Sequence, residues 1–109
     1  MANTFKLKTK ANVGVTTVGI YTAPASTTTV VIGITMANTS GSGVNVGVGI
    51  TRAGTTEDVK LLKNAPIPQG SSLEFMAGNK IVLEEIDTVT VDSDTNNSVD
   101  AALTIMEIT

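Results

Sequence analysis

Between Ser26 and Arg52 the chain alternates apolar residues with small or polar ones twice over. Val30, Ile32, Ile34 and Met36 share one face of a first extended run, and Val44, Val46, Val48 and Ile50 share one face of a second. Successive side chains of a strand point to opposite sides, so a period of two sorts each run into an apolar wall and a small or polar face. The opposite positions hold Val31, Gly33, Thr35 and Ala37, then Asn45, Gly47, Gly49 and Thr51. The linker Asn38-Thr39-Ser40-Gly41-Ser42-Gly43 is made of turn-forming residues and predicts an antiparallel hairpin between the runs.

The same period recurs along the chain. Val13, Val15, Val18 and Ile20 are wall positions, interrupted by Gly14 and Gly19; Val59 and Leu61 share a face with Lys63, while Lys60 and Leu62 take the other. Leu73 with Phe75, Ile81 with Leu83, and Val89 with Val91 form shorter walls, and the alternation slips by one across Glu84-Glu85 to reach Ile86. In the last run Val99, Ala101, Leu103 and Ile105 oppose Ala102, Thr104, Met106 and Ile108, so both faces are largely apolar. Such a strand belongs at the centre of a sheet or at an interface between subunits.

Tyr21-Thr22-Ala23-Pro24, Ala53-Gly54-Thr55-Thr56, Ala77-Gly78-Asn79 and Asp94 to Asn97 punctuate the runs as turns. Ala65-Pro66-Ile67-Pro68-Gln69-Gly70 predicts an extended segment that crosses from one sheet to another, because proline donates no ladder hydrogen bond. No stretch sustains a helical period. About eight short strands, with a turn signal every 8 to 12 residues or so, predict an all-β fold: an antiparallel β-sandwich, jelly-roll-like, in one domain.

Charge divides the chain unevenly. Lys6, Lys8 and Lys10 are three of its seven Lys and Arg residues, which leaves four against ten acids, a balance of −6, for the remainder. Residues 1–12 are therefore expected as a basic N-terminal arm or edge strand, and 13–109 as the sandwich. Lysine on an edge strand discourages aggregation. On an arm, the same lysines with Phe5 and Leu7 on the other face would bind an acidic neighbour, through backbone pairing where its sheet edge is open. Phe5, Lys6, Leu7, Lys8 and Lys10 are the candidate partner-binding residues.

The residues that are missing narrow the function. There is no cysteine, histidine or tryptophan in the 109 residues, so thiol chemistry, the usual near-neutral base and the usual soft metal ligands are unavailable. No enzyme activity, cofactor or small-molecule substrate is expected. Three aromatic residues at a net charge of −3 do not suit nucleic acid. No apolar run approaches the ~20 residues of a membrane helix, and the N-terminus lacks a secretory pattern, so a soluble protein made in the cytoplasm, with no membrane partner, is expected.

Asp92-Ser93-Asp94-Thr95-Asn96 has oxygen ligands at alternate residues, as a calcium loop does at its start. Asn97 stands where the glycine of such a loop should be and Leu103 where its glutamate should be, so a solvated turn is expected there, and no metal site is assigned. Glu84-Glu85 cannot flank one bond from a strand and is expected on the surface. Gly41-Ser42-Gly43 and Gly47-Val48-Gly49 lack the lysine and helix of a phosphate loop. Asn38-Thr39-Ser40 and Asn96-Asn97-Ser98 fit the glycosylation pattern and are expected as turns.

Taken whole, the chain resembles small virion proteins of tailed bacteriophages, particularly those of cyanobacteria. The resemblance rests on Met1-Ala2-Asn3-Thr4-Phe5-Lys6, Ala11-Asn12-Val13, Tyr21-Thr22-Ala23-Pro24 and the Thr/Val/Ile run after it, Ala65-Pro66-Ile67-Pro68-Gln69-Gly70-Ser71-Ser72, Lys80-Ile81-Val82-Leu83, and the ends of Val99-Asp100-Ala101 to Glu107-Ile108-Thr109. It implies a non-enzymatic β-sandwich subunit located in the virion, a homo-oligomer whose partners are other virion proteins. A capsid decoration or cement protein seated on the major capsid protein fits best. A neck, tail or fibre component and a host-surface or carbohydrate-binding module are the alternatives, and the last needs an exposed ring, for which Tyr21 is the candidate.

Overall fold

Alternating apolar residues in strands too short to bury both faces need a second sheet to cover their wall, and two sheets form. The computed structural model describes residues 3–52, 57–75 and 80–109. Among the described residues there are nine strands: β1 (Asn3–Val13), β2 (Val18–Thr22), β3 (Thr28–Asn38), β4 (Val44–Thr51), β5 (Asp58–Ile67), β6 (Ser72–Phe75), β7 (Ile81–Leu83), β8 (Thr88–Ser93) and β9 (Val99–Ile108). The turns expected at 53–56 and 77–79 lie outside the described residues.

One sheet has the order β1-β9-β3-β6, with β7 also paired to β3, and the other β2-β8-β4-β5; every pairing is antiparallel. The pairs β4·β5, β3·β6 with β3·β7, β2·β8 and β1·β9 nest around the β4–β5 connection. The chain is thus a long folded-back ribbon wound into two sheets, the arrangement of a jelly roll. Val31, Ile34, Met36, Leu103 and Ile105 from the first sheet meet Val44, Val46, Val48, Val89 and Val91 from the second in one buried core. The sandwich is therefore the fold of this chain, and β9 does occupy the centre of its sheet, between β1 and β3.

Several local expectations need correction. β3 and β4 do not form a hairpin: they lie in different sheets, and Asn38 to Gly43 arches between them. The buried Asn38 amide holds the arch. Its Nδ2 donates to the carbonyls of Ser42 at 2.8 Å and Ile67 at 3.0 Å, and its Oδ1 accepts from Ser40 N at 2.9 Å and Ser40 Oγ at 2.8 Å. A bulge between Val31 and Gly33 shifts the phase of β3, so Val31 faces inward with Ile34 and Met36 while Val30 and Ile32 face out.

Ala65-Pro66-Ile67 belongs to β5 and is not a free crossing segment. It pairs with β4 at the sheet edge, where a missing N–H is harmless, and the crossing begins after it. Within β5, Val59 lies opposite Ile50 and Leu62 opposite Val48, and across this irregular register Leu61 and Leu62 both pack against the core while Val59 is left 38% exposed. Val15 stands 56% exposed in the connection between β1 and β2. Ile86 is turned outward at φ 67° in the tight link between β7 and β8.

Candidate assembly surface

Residues directly opposite in an antiparallel pair point to the same side of the sheet. Lys6, Lys8 and Lys10 of β1 stand opposite Ile105, Leu103 and Ala101, on the side that faces the core. Because β1 is the edge strand, its lysine stems overhang that core and their ammonium groups reach water. Lys6 Nζ pairs with Glu107 Oε1 at 2.8 Å, and the Glu107 side chain is only 8% exposed.

Glu107 faces inward from the end of β9. Tyr21 donates its hydroxyl hydrogen to Glu107 Oε2 at 2.6 Å and accepts from Thr29 Oγ1 at 2.8 Å. Tyr21 sits on β2, so this chain of polar groups ties the two sheets together. The Lys6 ammonium, and then the Tyr21 hydroxyl, hold the Glu107 carboxyl below the usual carboxylate range. Burial, and then the bond to Glu107, push Tyr21 up to about 12. Its ring is buried and does not offer the exposed stacking face that a carbohydrate module would need.

The other side of β1 carries Phe5 and Leu7, which are 68% and 65% exposed. Phe5 lies opposite Met106, Met106 opposite Val30, and Val30 opposite Val82. An apolar row therefore crosses β1, β9, β3 and β7 on the outside of the sandwich, with Val82 itself 59% exposed. One rung along, Leu7 lies opposite Thr104, and Thr104 opposite Gly33. There the bulge of β3 leaves a shallow hollow bordered by Ile32, Thr104 and Phe75. Contiguous apolar residues on an outer sheet face mark a surface that meets another molecule.

The remaining candidates are held by the protein itself. Asp92 Oδ2 accepts from Thr17 Oγ1 at 3.0 Å, and Asp94 Oδ1 from Asn45 N at 3.1 Å, so the two carboxylates brace separate segments. Among the described residues no group of three or more His, Cys, Asp or Glu stands together in a way that holds a metal ion. Glu84 pairs with Arg52 and Glu85 accepts from Ser26 N, so these neighbours part company. Asp87, expected on the surface beside Glu84-Glu85 as part of a negative patch, is instead buried and binds Arg52 Nε at 3.1 Å and Glu84 N at 3.0 Å. A charged residue directly before a strand was the only available hint.

Gly47 and Gly49 lie on the outer face of β4, where side chains of β8 and the backbone of β5 close in. A Cβ on Gly47 would collide with Asp92 Oδ1, and one on Gly49 would come within 2.9 Å of the Val59 carbonyl oxygen. They are close-packing positions of the sheet.

Neither a family model nor a curated protein matches the sequence. Solved structures do match the fold. A chain of Bacillus endospore appendages, described as a novel family of disulfide-linked pili, is similar at TM-score 0.55 and 17% identity over 97% of this chain and 84% of that one. A capsid chain of Helicobacter pylori bacteriophage KHP30 is similar at TM-score 0.58 and 11% identity, over 98% and 87%. A chain from the capsid asymmetric unit of cyanophage Pam1 is similar at TM-score 0.53 and 14% identity, over 96% and 84%. At these identities the likeness is one of fold, and it spans nearly the whole of each partner.

Proposed function

We propose that this chain is a non-enzymatic structural subunit of a virus particle, and within that class a decoration or cement protein that sits on a capsid shell. The observation that carries the proposal is the apolar row from Phe5 to Val82, outside the sandwich and flush with a basic edge strand. Burying Phe5 and Leu7 against a partner contributes about 1.5 to 3 kcal/mol for each side chain. Lys8 and Lys10 at the rim supply orientation. The phage capsid chains of the same fold and similar length support this reading, as does the resemblance to tailed-phage virion proteins. The partner is then the major capsid protein, met through Phe5, Lys6, Leu7, Lys8 and Lys10 in many copies around the particle.

The likeness to the endospore pilus chain favours a second reading, a subunit of a filament. This sequence contains no cysteine, so its copies would have to join without the disulfides of those pili. Imaging of purified particles separates the two. Many copies in a regular array on the shell are expected; a few copies at the neck or tail, or none, would overturn the decoration assignment.

A further inference from the structure

We infer that the open edge of β1 receives a strand from a neighbouring protein whose side chains alternate acidic and apolar, the acids lying beside Lys6, Lys8 and Lys10 and the apolar residues beside Phe5 and Leu7. The identity of that neighbour as a capsid component rests on the function proposed above; the chemistry of the strand does not.

The backbone provides the first argument. β1 pairs with β9 along one side, and among the described residues no strand pairs with its other side. Its register with β9 runs unbroken from Asn3 to Lys10, and it contains no proline, so its far side is a straight ladder of unpaired N–H and C=O groups. The other sheet edges are protected. β5 carries Pro66, two register shifts and Asn64 at φ 55°. β2 spans five residues and shifts register between Gly19 and Tyr21, while β6 and β7 span four and three.

Charge names the occupant. Of the three lysines on β1, only Lys6 makes an ion pair among the described residues. A second copy of β1 added in either direction with its lysine face on the same side would set lysine beside lysine, and like charges directly opposite are destabilising. Among the described strands no other edge serves instead: β2 and β7 have no charged residue, β6 has Glu74 alone, and β5 carries a single acid, Asp58, followed by Lys60 and Lys63. Lysines on an edge repel copies of the same protein, and the same lysines attract an acidic strand. Phe5 and Leu7, exposed beside them, then gain cover from the added strand's apolar side chains.

The test uses the intact chain and two acetylated peptides of about nine residues, one alternating Glu with Val and the other Lys with Val. Amide hydrogen exchange and a chemical-shift titration report where each binds. The Glu–Val peptide is expected to slow exchange along Asn3 to Lys10, and the Lys–Val peptide to leave it unchanged. Exchanging both charges in Lys8→Glu with Lys10→Glu removes no ion pair, so the fold should persist, as its unfolding midpoint would report. That variant should lose about tenfold or more in affinity for the Glu–Val peptide and gain for the Lys–Val one. Equal protection by both peptides, protection of a different edge, or no protection would each overturn the inference. Copies found on a shell without β1 selectivity for the acidic strand defeat this inference alone; β1 selectivity in a chain absent from particles defeats the virion assignment alone.

Discussion

A carboxylate that faces the interior of a sandwich must be paired or neutral, and Glu107 is paired twice. Removing the cation in Lys6→Met leaves that carboxylate with Tyr21 only; because the ammonium sits at the water boundary, the cost is about 1 kcal/mol in a urea titration near neutral pH. The sign with pH follows from the shifts. Glu107 is held below its ordinary value, so its contribution is present above that value and is lost as pH falls through the folded one. Lys6→Met should flatten that acid limb. Tyr21 is pushed from 10.0 to about 12, so its contribution is complete below pH 10 and is lost as pH rises toward 12. Tyr21→Phe should abolish that alkaline limb, and cost about 1 to 2 kcal/mol at neutral pH by leaving Glu107 and Thr29 short of a partner. Lys6 and Tyr21 were legible only in other roles, as a partner contact and an exposed ring, and their meeting at Glu107 was not. Tyr21 and Glu107 lie 86 residues apart, and no periodicity links them. Ile86 is a second residue the pattern misplaced: a β-branched side chain at φ 67° carries backbone strain. Ile86→Asn, which tolerates that conformation, should raise stability by about 1 kcal/mol in the same titration.

At the scale of elements, alternation located the strands well and their partners poorly. The walls of β4, β8 and β9 follow the period of two, because Val, Ile and Leu recur there without interruption. In β3 the run Val30-Val31-Ile32 is apolar at every position, so composition gave no sign of where the bulge shifts the phase. The β3–β4 linker was misleading for a related reason: Asn, Ser and Gly serve a hairpin and an arch equally, and the distinction lies in Ile67, whose carbonyl the Asn38 amide reaches at 3.0 Å. Asn38→Ala should therefore cost about 2 to 4 kcal/mol, since it strands buried backbone groups at the crossing between sheets. A linker that was merely a solvated turn would tolerate the change, and a urea midpoint near that of the wild type would remove this account of the arch.

For the whole molecule, the nesting of strand pairs places residues from the two ends of the chain side by side, and it makes one surface from both. Phe5 and Met106 are 101 positions apart in sequence yet directly opposite in register. The lysines and exposed apolar residues of β1 were legible as a possible contact; the row that continues them onto β9, β3 and β7 was not, because it exists only once the ribbon is wound. This separation of fold from surface gives a clean comparison. Val48→Ala removes apolar volume from the core and should cost about 1 to 3 kcal/mol in stability. Phe5→Ser with Leu7→Ser removes more apolar area, but from side chains already 68% and 65% exposed, and should leave the unfolding midpoint nearly unchanged. If the outer row is what holds the protein to a particle, the serine variant should be lost from purified particles while the Val48→Ala variant, kept below its melting temperature, remains attached. Salt then sorts the remainder. Screening within about 8 Å at physiological ionic strength weakens exposed lysine contacts without weakening apolar ones. Release of the unaltered chain as salt rises would assign the dominant contribution to Lys8 and Lys10, and retention would assign it to Phe5, Leu7 and the backbone edge beside them.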